Sequence, residues 1–170
     1  MLHVRDANSG DASAIAATNA AGWRLAYKGL VDDRRLDGIS IKVWTRDIQG
    51  ILEDLDERSF SLVAERDGRF AGSCFVKGPA RDGDLGSEVT ELVAIYVDPP
   101  LWRHGVGSAL VAEARERAVD DGFSEMSLWT LKGNDAALAF YEKLGWRRDG
   151  ETRFDPSARA PAVRMLRSLT

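Results

Sequence analysis

The stretch LWRHGVGSAL, residues 101–110, carries two glycines, Gly105 and Gly107, ahead of a helix-like pattern. Glycines in that setting let backbone N–H groups approach a bound group closely, and a helix start adds free donors and a dipole that favour an anion. Two nucleotide-binding chemistries fail on spacing. A dinucleotide loop needs a third glycine where Leu110 stands, and a position after the first strand of a βαβ unit. A nucleotide P-loop needs Gly-Lys followed by Ser or Thr, whereas Gly107 is followed by Ser108 with no lysine in the loop. What remains is a strand, a tight turn and a helix N-terminus with Arg103 and His104 beside it, or a glycine pair that merely permits a tight connection. Cys74 is the single cysteine, and the two histidines, His3 and His104, lack metal-ligand spacing. Neither an intrachain disulfide nor a metal site is expected.

The elements that must hold this loop can be read from periodicity. LHVRDA is a short strand, and Ile15, Ala16, Asn19, Ala20, Trp23, Ala26 and Tyr27 recur at helical spacing. The pattern breaks from Lys28 to Ser40, and a second helix is expected over roughly Lys42 to Leu55. SFSLVAERDGRFAGSCFVKG is a hairpin, with Asp67-Gly68 between two β-prone runs. EVTELVAIYVDPP is the strongest strand, ended by Pro99-Pro100, and its nearly unbroken apolar run predicts burial on both faces. Val106, Ala109, Leu110, Ala114 and Ala118 then give a helix, SEMSLWTL a strand, and Asn134 starts a helix through Ala137, Phe140, Tyr141 and Leu144 that Gly145 ends. GWRRDGETRF and APAVRMLRSL supply two more strands, which predicts a mixed α/β sheet with helices on both faces.

The 170 residues fit one domain, and a 44% hydrophobic, 29% charged composition is that of a globular chain rather than a disordered one. Residues 1–170 are therefore expected to form a single domain. No basic, apolar leader and no run near ~20 apolar residues is present, so a cytoplasmic protein without membrane association is expected. A net charge of −4 argues against gripping nucleic acid by phosphate neutralisation and mildly favours cationic or neutral partners.

ELVAIYVDPPLWRHGVGSALVAEA followed by LWTLKGNDAALAFYEKLGW resembles the GNAT superfamily of N-acetyltransferases, whose loop reads Gln/Arg-x-x-Gly-x-Gly/Ala and whose later motif has Asn near a helix start and Tyr within that helix. The match spans roughly residues 89 to 148. Trp102 departs from it at the Gln/Arg position. The resemblance implies the acyl-CoA N-acyltransferase fold, a mostly antiparallel sheet of about seven strands flanked by about four helices. It also implies that Arg103, His104, Gly105, Val106, Gly107 and Ser108 cradle the pyrophosphate of acetyl-CoA. Ile95, Tyr96 and Val97 would offer backbone contacts to pantetheine laid in a gap beside their strand, and Asn134 would contact the cofactor, cap its helix, or both.

Acyl transfer from a thioester to an amine requires a neutral amine, donors for a developing oxyanion and a proton for the departing thiolate. Tyr141 suits the last role, as the matching tyrosine commonly does in the family; helical spacing alone would equally make it a core residue. Glu91, at the start of the buried strand where the family often places a base, is the choice for accepting the amine's proton, against a solvated strand end beside Glu88 and Thr90. With Cys74 in the hairpin strand, away from the motifs, direct attack in a ternary complex is expected rather than an acyl-enzyme. Trp23 and Tyr27, one turn apart, and Trp44 on the second helix form either an acceptor wall or core. The leading expectation is acetyl transfer to a primary amine of a small molecule or peptide, with a homodimer possible. The competing one is a non-catalytic acyl-CoA-binding domain.

Overall fold

A computed structural model describes residues Met1–Thr170. The strands are β1 (Leu2–Asp6), β2 (Phe60–Arg66), β3 (Arg69–Lys77), β4 (Val89–Val97), β5 (Glu125–Leu131), β6 (Arg147–Asp155) and β7 (Ala160–Ser168). The helices are α1 (Ala12–Ala26), α2 (Asp33–Asp37), α3 (Ile41–Glu53), α4 (Val106–Asp120) and α5 (Asp135–Lys143). One sheet runs β1-β2-β3-β4-β5-β7-β6, antiparallel throughout except where β4 meets β5. The expected seven-stranded mixed sheet is present. The fifth helix is α2, one short turn-and-a-half inside the stretch from Lys28 to Ser40 where no periodicity could be read, capped by the Asp32 side chain.

Local chemistry explains the boundaries. The β2–β3 turn has Asp67 at φ 52° and Gly68 at φ 74°, the left-handed pair that a two-residue hairpin needs. Ser40 Oγ accepts Val43 N–H at the start of α3, and Asn134 Oδ1 accepts Ala137 N–H at the start of α5. Helices α4 and α5 bury Val106, Leu110, Val111, Ala114, Leu138 and Tyr141 against one face of the sheet, where Leu62, Cys74, Val76, Leu92, Met126, Leu128 and Met165 complete the main core. On the other face Val31 and Leu36 join Leu131, Ala158, Ala160 and Ala162 in a smaller core beside Trp23 and Tyr27. No helix is long and apolar enough to cross a membrane.

The reading of β4 as buried on both faces holds only for its first half. Val89 to Leu92 are buried, whereas Val93 to Val97 are half-buried. The reason is a neighbour that leaves: beyond Glu91, β5 no longer covers β4.

Candidate active site

Strands β4 and β5 pair only through Val89–Glu91 against Glu125–Ser127, with Ser127 Oγ donating to Thr90 O at 3.3 Å. Past that point the strands part, while β4 stays paired with β3 as far as Val97. Asp98 N–H donates to Ala71 O on the β3 side at 2.9 Å. Alternation along an antiparallel ladder then turns the N–H groups of Val97 and Ile95 toward the gap. The carbonyl of Val97 is engaged there by Trp102, whose Nε1 donates to it at 2.8 Å. That bond gives Trp102 a local role: it folds the turn after β4 back over the strand's end.

A bulge sets which side chains meet on the face of the sheet away from the main core. Phe75 pairs with Ala94 and Val76 with Leu92, so Val93 is the extra residue. Without it, Glu91 and Tyr96 would have opposite parity and point to opposite faces. With it, Glu91, Val93 and Tyr96 all line one cavity, while Leu92, Ile95 and Val97 pack toward the main core.

At the mouth of the gap, Arg103 (φ 66°) and Gly105 (φ 83°) both take the left-handed conformation. Helix α4 starts at Gly105 with no side-chain cap, unlike α3 and α5, and the N–H groups of Val106, Gly107 and Ser108 find no acceptor in the chain. These are the orphan donors of a helix start, presented where the dipole favours negative charge. The two glycines serve different ends. A Cβ on Gly105 would meet nothing within 4 Å, so this residue is selected by its backbone angle; a Cβ on Gly107 would lie 3.2 Å from Phe140 Cζ and 3.6 Å from Val97 Cγ2, so this one is selected by close packing.

Tyr141 sits on α5 in the main core, edge-on to Trp146 and Phe140. Its hydroxyl has no hydrogen-bond partner in the chain and is not among the polar atoms sealed from solvent. Burial, with Tyr27 and Cys74 adding, pushes its pKa well up, so the neutral phenol is the resting form. Cys74 is nearer the motifs than the sequence implied: it faces Ile95 in register and belongs to the same core as Tyr141. Burial pushes that thiol up to about 12, which leaves it an inert core residue.

Glu91 is 1% exposed, so the solvated strand end is excluded. Arg81, from the β3–β4 loop, gives it Nε at 2.8 Å, Nη2 at 2.6 Å and a longer backbone N–H at 3.3 Å. Burial alone would raise this carboxyl, but the hydrogen bonds and charge of Arg81 together hold it below the ordinary glutamate value. It is thus a fixed carboxylate with most of its lone pairs in use.

Across the gap from α5, a cavity of about 350 Å³ is lined by Trp23, Tyr27, Glu91, Tyr96, Trp129, Arg153 and Asp155 among others. Trp23 Nε1 donates to Tyr96 Oη at 2.7 Å, and the hydroxyls of Tyr27 and Tyr96 are 3.4 Å apart. The Tyr96 side chain therefore belongs to this cavity, while its backbone N–H and C=O share the parity of Asp98 and turn toward β3 rather than the gap. Trp44 packs edge-on against Trp23 and does not line the cavity.

The geometry can be set beside known proteins. The model of the acetyltransferase (GNAT) family matches residues 27–146. The chain belongs to the GNAT acetyltransferase family. It is 28% identical over 160 residues to the uncharacterized N-acetyltransferase YuaI of Bacillus subtilis, covering 91% of this chain and 86% of that protein. It is 30% identical over 136 residues to human N-acetyltransferase 8, covering 72% of this chain and 58% of that one. Among solved structures, the PaiA N-acetyltransferase of Thermoplasma acidophilum in complex with coenzyme A superposes with a TM-score of 0.77 at 19% identity, over 99% of both chains. The GNAT fold is thereby shared across the whole length.

The residues fit an acyl-CoA. Free donors at the start of α4, unpaired N–H groups on β4 and a gap between strands are the features that a pyrophosphate and an extended pantetheine arm require. Asn134, by contrast, has its side-chain oxygen occupied as the α5 cap, which leaves its amide N–H2 for any further contact. Sequence reasoning missed Arg81, Trp129, Arg153 and Asp155, which sit on loops or on strands with no catalytic spacing. Gly22 was also missed, although a glycine inside a helix is a signal: a Cβ there would lie 2.9 Å from Tyr96 Cδ1.

Proposed function

We propose that residues 1–170 form a single acetyltransferase domain that moves the acetyl group of acetyl-CoA directly to a primary amine, both substrates being bound at once. The observation that carries this reading is the parting of β4 and β5 just past Glu91, with the core that holds Tyr141 packed on one face of the sheet and a cavity lined by Glu91 and Tyr96 open beside β4. Acetyl-CoA would lie along β4, its pyrophosphate on Arg103–Ser108 and its pantetheine arm beside Ile95–Val97. It supplies the activated thioester; the remaining work falls to the chain.

The N–H of Ile95, the nearer of the two to Glu91, would stabilise an oxyanion developing at the thioester carbonyl, and that of Val97 would hold a pantetheine carbonyl. Tyr141, kept protonated by its burial, donates to the departing sulfur. Glu91 acts through water: with Arg81 holding its carboxylate, it orients a water and draws the ammonium proton toward bulk solvent rather than taking it by direct contact. Trp23, Tyr27 and Tyr96 wall off the amine. The deciding experiment is thiol release from acetyl-CoA over a panel of polyamines, amino acids, aminoglycosides and peptide N-termini. Release with at least one amine supports transfer; a raised melting temperature with acetyl-CoA but no release with any amine would favour a non-catalytic acyl-CoA-binding domain.

A further inference from the structure

Three arginines gather at the acceptor end of the gap, and two are locked onto carboxylates. Arg81 gives Nε and Nη2 to Glu91. Arg164, 4% exposed, gives Nε to Asp149 at 2.6 Å and Nη1 and Nη2 to Asp84 at 2.8 and 2.7 Å. Arg153 differs. Its guanidinium carbon lies 4.3 Å from the centroid of the Trp129 ring, and none of its nitrogens has a hydrogen-bond acceptor in the chain. The nearest carboxylate oxygen, Asp155 Oδ2, is 3.7 Å from Nη2, beyond hydrogen-bonding distance. Asp155 uses its other oxygen to accept Ala158 N–H at 2.7 Å. Trp129 is itself fixed, its Nε1 donating to Asp82 Oδ2 at 2.8 Å. The stack thus holds the face of the Arg153 guanidinium against the cavity wall and leaves its terminal N–H groups without a hydrogen-bond acceptor, the ion pair with Asp155 at 3.7 Å aside.

We propose that Arg153 anchors a carboxylate on the acceptor, so that the amines acetylated here are free amino acids or similar small zwitterions rather than polyamines or simple alkylamines. This rests on the reading of the cavity as an acetyl-acceptor site. A planar fork with free N–H groups matches a carboxylate. Glu91 and Asp155 within the same cavity oppose a dianion such as phosphate while favouring the ammonium end of a zwitterion. A volume of about 350 Å³ lies at the small end for ligand pockets, and the rings of Trp23, Tyr27 and Tyr96 give it an apolar wall for a side chain.

The test pairs acceptors that differ by one carboxylate: L-phenylalanine with 2-phenylethylamine, and L-leucine with 3-methylbutylamine. Each is measured by thiol release with acetyl-CoA and, separately, by calorimetric binding to protein saturated with coenzyme A. Wild type, Arg153→Met and Arg153→Lys are compared after melting curves establish that each is folded; the Met variant keeps an apolar stem over Trp129, and its acid-to-amine ratio controls for the difference in amine basicity. The expected result is a preference for the amino acid that falls about tenfold or more in Arg153→Met, with Arg153→Lys, which keeps charge without the fork, in between. A ratio unchanged by both substitutions, in turnover or in binding, overturns the carboxylate site. An Arg153-dependent preference in binding without thiol release from any amine keeps the carboxylate site and removes the acetyl-transfer reading. Thiol release without an Arg153-dependent preference does the reverse.

Discussion

Arg81 closes on Glu91 with two side-chain N–H groups, at 2.8 and 2.6 Å, at the point where β4 and β5 begin to part. The carboxylate is buried and the guanidinium half-exposed, so removing the charge leaves Arg81 able to turn to water while Glu91→Gln loses a charge-assisted pair. A cost of about 1–3 kcal/mol at neutral pH is expected. Because Glu91 titrates lower in the folded chain than unfolded, its contribution is full above the ordinary glutamate range and disappears as the pH falls through its lowered folded value. The melting-temperature gap between wild type and Glu91→Gln should therefore be widest near pH 7 and close in acid. A gap that stays constant with pH would contradict the pair as the source. Since Glu91 stays ionised across neutral pH, the variant should lower kcat/KM without moving the pH at which the rate rises; a shifted limb would make Glu91 itself the titrating base.

Tyr141→Phe removes a hydroxyl that bonds to nothing in the chain, so the fold should hardly notice. If the hydroxyl donates to the leaving sulfur, kcat should drop by about 10²-fold or more while affinity for coenzyme A stays the same. Steady-state rates together with coenzyme A titration check both halves, and an unchanged kcat would remove the acid assignment.

The two loop glycines should fail differently. Gly105→Ala meets open space but must hold φ 83°, a conformation that costs an alanine about 1 kcal/mol or more. Gly107→Ala has no such strain, yet its methyl would press Phe140, at 3.2 Å from Cζ. Both should raise the KM for acetyl-CoA. A Gly107→Ala, Phe140→Leu double variant should recover affinity if packing is the cause, whereas the same Phe140 change should not rescue Gly105→Ala.

The layout of the candidate site was legible because its loop, α4, β5 and α5 follow one another in the chain, and the loop glycines, Asn134 and Tyr141 stand at spacings that resemble the family's. The strand and helix order was legible for the same reason, since periods of two and 3.6 are local. What stayed hidden is non-local. The Val93 bulge leaves no mark in an unbroken apolar run, although it alone brings Glu91 and Tyr96 to one face. Arg81 in its loop and Arg153 on an edge strand acquire meaning only when the sheet sets them beside β4. Cys74 reads as remote from the motifs, whereas the β3–β4 register sets it opposite Ile95.

Trp102→Phe removes the bond from Nε1 to Val97 O while keeping a ring on a half-exposed site. One neutral hydrogen bond is worth about 1 kcal/mol, so only a small fall in melting temperature is expected. The larger effect should be a raised KM for acetyl-CoA, because the turn after β4 leads directly into Arg103–Ser108. Equal KM values in the two proteins would show that the loop holds its shape without this bond.

Gly22 offers a way to disturb the acceptor side alone. It lies in α1 with the Tyr96 ring against it, and a Cβ at this position would sit 2.9 Å from Tyr96 Cδ1, closer than side-chain carbons approach. The ring cannot easily yield, since Tyr96 is tied to Trp23 at 2.7 Å and rises from a strand paired with β3. Gly22→Ala must therefore shift α1 or turn the ring, and either motion carries Trp23 and Tyr27 with it. The gain in helix propensity, up to about 1 kcal/mol, offsets part of the steric cost, so the net change in stability should be small. The acceptor KM should rise several-fold while the KM for acetyl-CoA stays near that of wild type. If both KM values rose together, the cavity beside α1 and the cofactor gap would have to be treated as one site.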